Sequence, residues 1–181
     1  MTRLWESLGD GARYSLLPAG YFLSVVPWRD VVESEPEFAE RARGFLEAGV
    51  HKTIATLRRD GSPRISGTEA KFANGELWLG AMWQSRKALD LRRDPRFALH
   101  SASIDPPAWE GDAKISGHVE EIEDDEQKSR LLDGADETPS GPWHLFFARI
   151  REVAVVRLSD ARDHLVIELW KDGEGLKRMR R

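Results

Sequence analysis

The chain has 181 residues, 40% hydrophobic and 32% charged, with a formal net charge of -4 and no cysteine. That length suits a single domain with a real core. The acidic balance argues against a generic nucleic-acid binder, and the lack of cysteine excludes disulfides, thiolate catalysis and iron–sulfur ligation. No apolar run approaches the ~20 residues of a membrane-spanning helix. The early apolar stretches, Leu16-Leu17 and Tyr21 to Val26, are too short for a signal peptide and are broken by Pro18 and Gly20. These features predict a cytoplasmic protein without a membrane or nucleic-acid partner.

Residues 1–33 show no clear periodicity. Tyr14, Tyr21, Phe22 and Trp28 suggest an arm strapped onto the body rather than a free tail. A helix is predicted next. Ser34 and Glu37 have the spacing of a capping box, and Phe38, Ala42, Phe45 and Leu46 recur at helical intervals, with Gly49 as a stop. Strands follow at His51 to Leu57, Arg64 to Phe72 and Glu76 to Met82, separated by the turn signals Asp60-Gly61 and Asn74-Gly75. A helix over Ser85 to Arg93 stops before Pro95, and a fourth strand covers Arg96 to Ala102.

Gly111 to Ile122 gives the cleanest alternation. Ala113, Ile115 and Val119 face one way, and Asp112, Lys114, Ser116, His118 and Glu120 the other, as in a strand with one buried face. Asp124 to Leu132 reads as a helix with acids in its first turn, and Thr138 to Pro142 as a loop. The last strands are Glu152 to Leu158 and His164 to Trp170, followed by a basic tail from Lys171 to Arg181. Antiparallel strands joined by hairpins, with a few short helices, predict a mainly β protein built as a closed or nearly closed barrel. The domain reading is an arm over 1–33 and one domain over 34–181.

Two groups of residues could carry chemistry. Arg64-Ile65-Ser66 lies on the second strand, where Arg64, Ser66 and Thr68 share a face. Ser85-Arg86-Lys87 opens the following helix, and the hairpin between can bring the groups together. Guanidinium forks, an ammonium, hydroxyls and a helix N-terminus suit a phosphate. On spacing alone, a solvated strand face and a helix cap are the favoured account of them. Gly80 and Ala81 are small residues where a ring system could approach the backbone, and Trp83 adjoins them. Trp170 falls on the same strand face as His164 and Glu168. The five histidines have no tight ligand spacing, so no metal site is expected, and no nucleophile-elbow motif is present.

The stretches ATLRRDGSPRIS (Ala55 to Ser66), GELWLGAMWQSRKALDLRRDPRFAL (Gly75 to Leu99) and IELWKDGEGLKRMRR (Ile167 to Arg181) resemble, in this order, the pyridoxamine 5'-phosphate oxidase-like superfamily of FMN-binding split barrels. The resemblance runs from about Phe45 to Arg181. It implies an antiparallel split barrel, a homodimer with the site at the subunit interface, and an FMN-dependent oxidoreductase acting on a small organic substrate. The deazaflavin coenzyme F-420, or a non-catalytic flavin- or haem-binding role, is the alternative. The cofactor-binding residues it implies are Arg64, Ile65, Ser66, Gly67, Gly80, Ala81, Ser85, Arg86 and Lys87, with Trp170 and Arg180 reaching the flavin of the other subunit. It assigns no acid or base. Two departures stand out. Leu176 occupies the place of an arginine that binds the substrate phosphate in true oxidases, and Glu69 lies near where they carry a lysine. Oxidation of vitamin B6 phosphates is therefore not expected to be efficient.

Overall fold

A computed structural model describes residues 24–131 and 141–181. The predicted packing of Tyr14, Tyr21 and Phe22 lies outside the described residues, as do Leu132 and the first part of the predicted loop at Thr138.

Within the predicted arm, Trp28–Ser34 forms a helix, α1. Trp28 is buried, with its ring 4.9 Å from that of Phe72 and its backbone N–H donating to Glu76 Oε2. The next helix, α2, spans Pro36–Glu47. Pro36 opens it, where a missing N–H costs nothing. The capping box expected from Ser34 and Glu37 does not form: Ser34 ends α1, and Glu35 takes the N-cap position without a side-chain bond. The Ser34 hydroxyl instead accepts from Trp170 Nε1 at 3.3 Å. Phe38, Ala39, Ala42 and Leu46 give α2 its buried face.

Strands β1 (His51–Leu57), β2 (Pro63–Ala73) and β3 (Glu76–Met82) form an antiparallel meander. Helix α3 (Arg86–Arg93) leads to β4 (Arg96–His100), then β5 (Gly111–Ile122), helix α4 (Asp125–Leu131), β6 (Trp143–Leu158), β7 (Leu165–Lys171) and β8 (Gly175–Arg180). The sheet order is β3-β2-β1-β4-β5-β6-β7-β8, and an added β3–β6 pairing closes the first six strands into an antiparallel barrel.

Strand β6 makes this possible by its length. Its first residues, Trp143 to Phe147, pair with β3, while Glu152 to Leu158 pair with β7. The sheet splits there, so β7 and β8 form a flap beside the closed barrel. The β5–β6 register shifts at Ser116/Gly117, where a Cβ on Gly117 would lie 1.9 Å from the Arg149 carbonyl oxygen. Only glycine fits that bulge.

The barrel interior is filled by Ile54, Leu77, Leu79, Leu99, Ile115, Phe146, Ile150 and their neighbours. Helices α1 and α2 add to this core, and α3 contributes Ala88 and Leu91. A second cluster outside the barrel joins Trp78, Ile122, Trp143, Leu145 and Phe147, with Leu131 of α4 against it. Among the described residues no helix is long and apolar enough to cross a membrane.

Candidate cofactor-binding site

Helix α3 is short, and its sequence determines which side faces what. Ala88 and Leu91 enter the core, while Arg86, Leu89, Asp90 and Arg93 face the β1–β2 turn. Between helix and turn lies a cleft of about 710 Å³, lined also by Arg58, Arg59, Asp60 and Arg64. Five arginines and two aspartates therefore share one opening.

Most of these groups are already engaged. Asp90 is 4% exposed and accepts from Arg64 Nε at 2.6 Å, Thr56 Oγ1 at 3.1 Å and Arg93 at 3.1 Å. Burial pushes its carboxyl up, but the bonds from Arg64, Arg93 and Thr56 outweigh that and hold it below the usual range. Arg93 also donates to the Leu57 carbonyl, and Arg58 to Ser62 and the Pro63 carbonyl. The side chains of Arg59 and Arg86 carry no hydrogen bond or ion pair among the described residues. Two guanidinium forks thus remain for an anion.

The start of α3 points the same way. Its first turn holds no acid; Arg86 and Lys87 sit there instead, at the positive end of the helix dipole. That placement is unfavourable for a bare helix and favourable with an anion bound. Ser85 is the N-cap residue, yet it makes no cap bond, and its buried Oγ has no partner among the described residues.

The structure brings Arg64 and Arg86 into one cleft, as their spacing suggested. Lys87 lies on another face of α3, where Nζ donates to the Gly67 carbonyl at 2.7 Å. Burial pushes its ammonium below the usual lysine range, and Glu69 partly offsets this. Ser66 is half-buried on β2, whereas Ile65 is 75% exposed and nothing lies within 4 Å of a Cβ built on Gly67. Gly80 likewise meets open space, while the Ala81 side chain is turned into the core.

Trp170 and Arg180 stand away from the cleft's lining. Trp170 is 3% exposed in the core of its own protomer, bonded to Ser34. Arg180 is an exposed residue of β8, 3.7 Å from Asp163 Oδ2. The tail expected to be merely basic is this strand.

Sequence reasoning missed Arg59, whose signal was its place in a two-residue arginine run before Asp60-Gly61. It also missed Asp90, the carboxylate that organises Arg64 and Arg93. A lone acid inside a basic helix carries no periodic signature. Among the described residues no group of three or more histidines, aspartates or glutamates could hold a metal ion.

A sequence model of the family described as pyridoxamine 5'-phosphate oxidase matches residues 38–157. No curated protein matches the chain. Among solved structures, a conserved hypothetical protein of Mycobacterium tuberculosis is 23% identical, with a TM-score of 0.52 over 66% of this chain and 82% of that one. A pyridoxamine 5'-phosphate oxidase-related, FMN-binding protein of Nostoc punctiforme is 14% identical, with a TM-score of 0.55 over 88% and 98%. A haem-binding protein of Mycobacterium smegmatis is also 14% identical, with a TM-score of 0.52 over 78% and 86%.

Proposed function

The chain belongs to the pyridoxamine 5'-phosphate oxidase family, and from that premise we propose that it is an FMN-binding oxidoreductase acting on a small organic substrate. The observation that carries this reading is the pair of uncommitted guanidinium groups, Arg59 and Arg86, facing each other's cleft at the start of α3. A phosphomonoester dianion matches two such forks in charge and geometry. The unpartnered Ser85 Oγ supplies a further donor at the same helix end.

In this reading Arg86 and Arg59 bind the cofactor phosphate. Arg64, held by Asp90, lines the cleft with its remaining nitrogens, and Lys87 and Ser66 border it. The open positions at Gly67 and Gly80 leave room for a planar ring to lie against the strands. When bound, FMN supplies the hydride chemistry; the protein anchors, orients and shields it.

The outer face of β2 and β3 supports an assembly of two copies. Ile65 is 75% exposed and Met82 is 80% exposed. Glu69 pairs with Gly80, so Ile65 and Gly67 on one strand share that face with Met82 on the other. Apolar side chains this exposed on a strand surface mark a contact face. We therefore include a homodimer in the proposal.

The test is an absorbance spectrum of the purified protein, followed by titration of the stripped protein with FMN. A bound flavin spectrum, or saturable quenching of added FMN, is the expected result. A haem spectrum, or a deazaflavin spectrum with no FMN affinity, would replace the cofactor assignment.

A further inference from the structure

The turn that delivers α3 to the cleft is held by a group from the neighbouring strand β6. Gln84 has φ of 56°, a left-handed conformation that costs a non-glycine residue free energy. Ser85, next in line, makes no cap bond. Two contacts hold the turn besides the Ser85 N–H to Met82 carbonyl bond at 3.1 Å. The Gln84 N–H donates to His144 Nε2 at 3.3 Å, and the Trp83 ring stacks on the His144 ring at 4.8 Å and 11°.

His144 is itself fixed. It is 1% exposed on β6, opposite Ala81 of β3. Its Nδ1 lies 2.6 Å from Glu121 Oε1 on β5, and Glu121 Oε2 forms an ion pair with Arg92 Nε of α3 at 2.8 Å. Phe146 lies parallel to the imidazole, 6.0 Å away. Because Glu121 is an acceptor, Nδ1 carries the proton. Because the Gln84 amide is a donor, Nε2 carries the lone pair. One tautomer satisfies both contacts. A relay therefore runs from Arg92 near the end of α3, through Glu121 and His144, to the turn that begins the same helix.

We infer that His144 is a positioning residue. As the neutral Nδ1–H tautomer it sets the Trp83-Gln84-Ser85 turn, and through it the place of Arg86 in the cleft. It acts through Arg86 and does not touch the ligand. The affinity consequence rests on the FMN reading above; the consequence for the turn does not.

The experiment has two readouts. The first is hydrogen exchange of the Gln84 amide by NMR in the wild type, His144→Phe and His144→Gln. Phenylalanine keeps a ring for Trp83 but removes both polar contacts, and glutamine retains one donor and one acceptor. The Gln84 amide is expected to lose protection in the phenylalanine variant and recover part of it in the glutamine variant. Unchanged protection in both folded variants would overturn the inference, whatever the protein binds. Should the phenylalanine variant fail to fold, the glutamine variant against wild type decides alone: protection fully equal to wild type with the ring removed counts against an imidazole-specific role.

The second readout is FMN affinity. His144→Phe is expected to weaken binding about threefold or more, the loss of one hydrogen bond's worth of positioning. In the double variant with Arg86→Ala the two losses should overlap, whereas with Arg59→Ala they should add. Additive losses in both pairs would show that His144 does not act through Arg86.

Discussion

Arg64 Nε donates to Asp90 Oδ2 at 2.6 Å, and this contact joins strand β2 to helix α3. Asp90 is the buried centre, since Thr56 of β1 and Arg93 bond to it as well. Three elements thus meet on one carboxylate beneath the cleft. Replacing it with alanine is expected to lower stability by about 1.5–3 kcal/mol, the range for hydrogen bonds to charged groups. Its folded pKa is depressed, so its contribution is complete above the ordinary aspartate value near ~3.9 and is lost as pH falls through the lower folded value. Urea unfolding from pH 7 downward should show a constant gap between wild type and Asp90→Ala, closing only in strong acid. A gap that closes near neutral pH would contradict this.

The anchor prediction separates the free cations from the engaged ones. Arg59→Ala and Arg86→Ala should each weaken FMN binding about tenfold or more, since a charge-assisted contact contributes ~1.5–3 kcal/mol. Arg58→Ala should weaken it less, because its fork is bonded to Ser62 and Pro63. Fluorescence quenching of FMN measures all three. Equal, small effects at Arg59 and Arg86 would move the phosphate elsewhere.

How far the fold could be read depended on how one-sided each element is. β1, β3 and β5 lie where their alternation and turn signals placed them. The first half of β6 was missed because Trp143 to Ala148 is buried throughout: Phe146 and Ala148 face the barrel interior, while Trp143, Leu145 and Phe147 face the outer cluster. A strand covered on both faces loses its period of two. Strand β8 was hidden by its charges, since Lys177, Arg178 and Arg180 sit on an exposed edge strand. At the cleft, hairpin spacing allowed Arg64 and Arg86 to come together, but only the family resemblance, not the spacing, pointed to them as cofactor ligands. The engagement of Lys87 by Gly67, and the burial of Trp170 against Ser34, depend on tertiary packing that no local pattern encodes.

Glu168 offers a stability test remote from the cleft. It is 1% exposed, accepts two bonds from Arg41 of α2 and one from Arg178 of β8, and lies 3.7 Å from Arg157 Nε. Burial pushes its carboxyl up, yet the bonds from Arg41 and Arg178 hold it below the usual range. Glu168→Gln keeps the shape but removes the charge, and is expected to cost about 3–5 kcal/mol, as for breaking a buried pair. Arg178→Ala should cost under about 1 kcal/mol, because that side chain is 62% exposed. Denaturant midpoints at neutral pH compare them. Similar losses in both variants would refute the assignment of Glu168 as the hub.

The assembly prediction follows from the outer face of β2 and β3. Ile65→Asp places a charge among apolar groups that a second copy should cover, and is expected to shift the protein from dimer to monomer by light scattering at micromolar concentration. The isolated fold should be little affected, since Ile65 is exposed within the protomer. A wild-type monomer at that concentration would refute the dimer.

The last prediction is negative, and concerns substrate. This protein should turn over pyridoxine 5'-phosphate poorly even when loaded with FMN. Leu176 stands where the oxidases it resembles carry a substrate-binding arginine. It pairs with Trp170 across β7 and β8 and packs, half-buried, against the barrel core, so it offers a phosphate no donor. Glu69 is exposed on β2, near where those oxidases carry a lysine, and adds like charge. Neighbouring cations could in principle replace the missing arginine, but both are engaged: Lys177 bonds to Glu174, and Arg178 to Glu168. Releasing Arg178 means uncovering one side of a buried carboxylate. Losing one charge-assisted contact costs ~1.5–3 kcal/mol, at least about tenfold in kcat/KM. Following pyridoxal 5'-phosphate formation with the FMN-loaded protein in oxygenated buffer tests this. Turnover at the rate of a genuine oxidase would mean that the strand β8 register assigned to Leu176 does not correspond to the substrate-binding position. Introducing Leu176→Arg should then be harmless, whereas if the prediction holds it should raise the activity measurably while costing some stability, because an arginine there must leave the core contact that leucine makes.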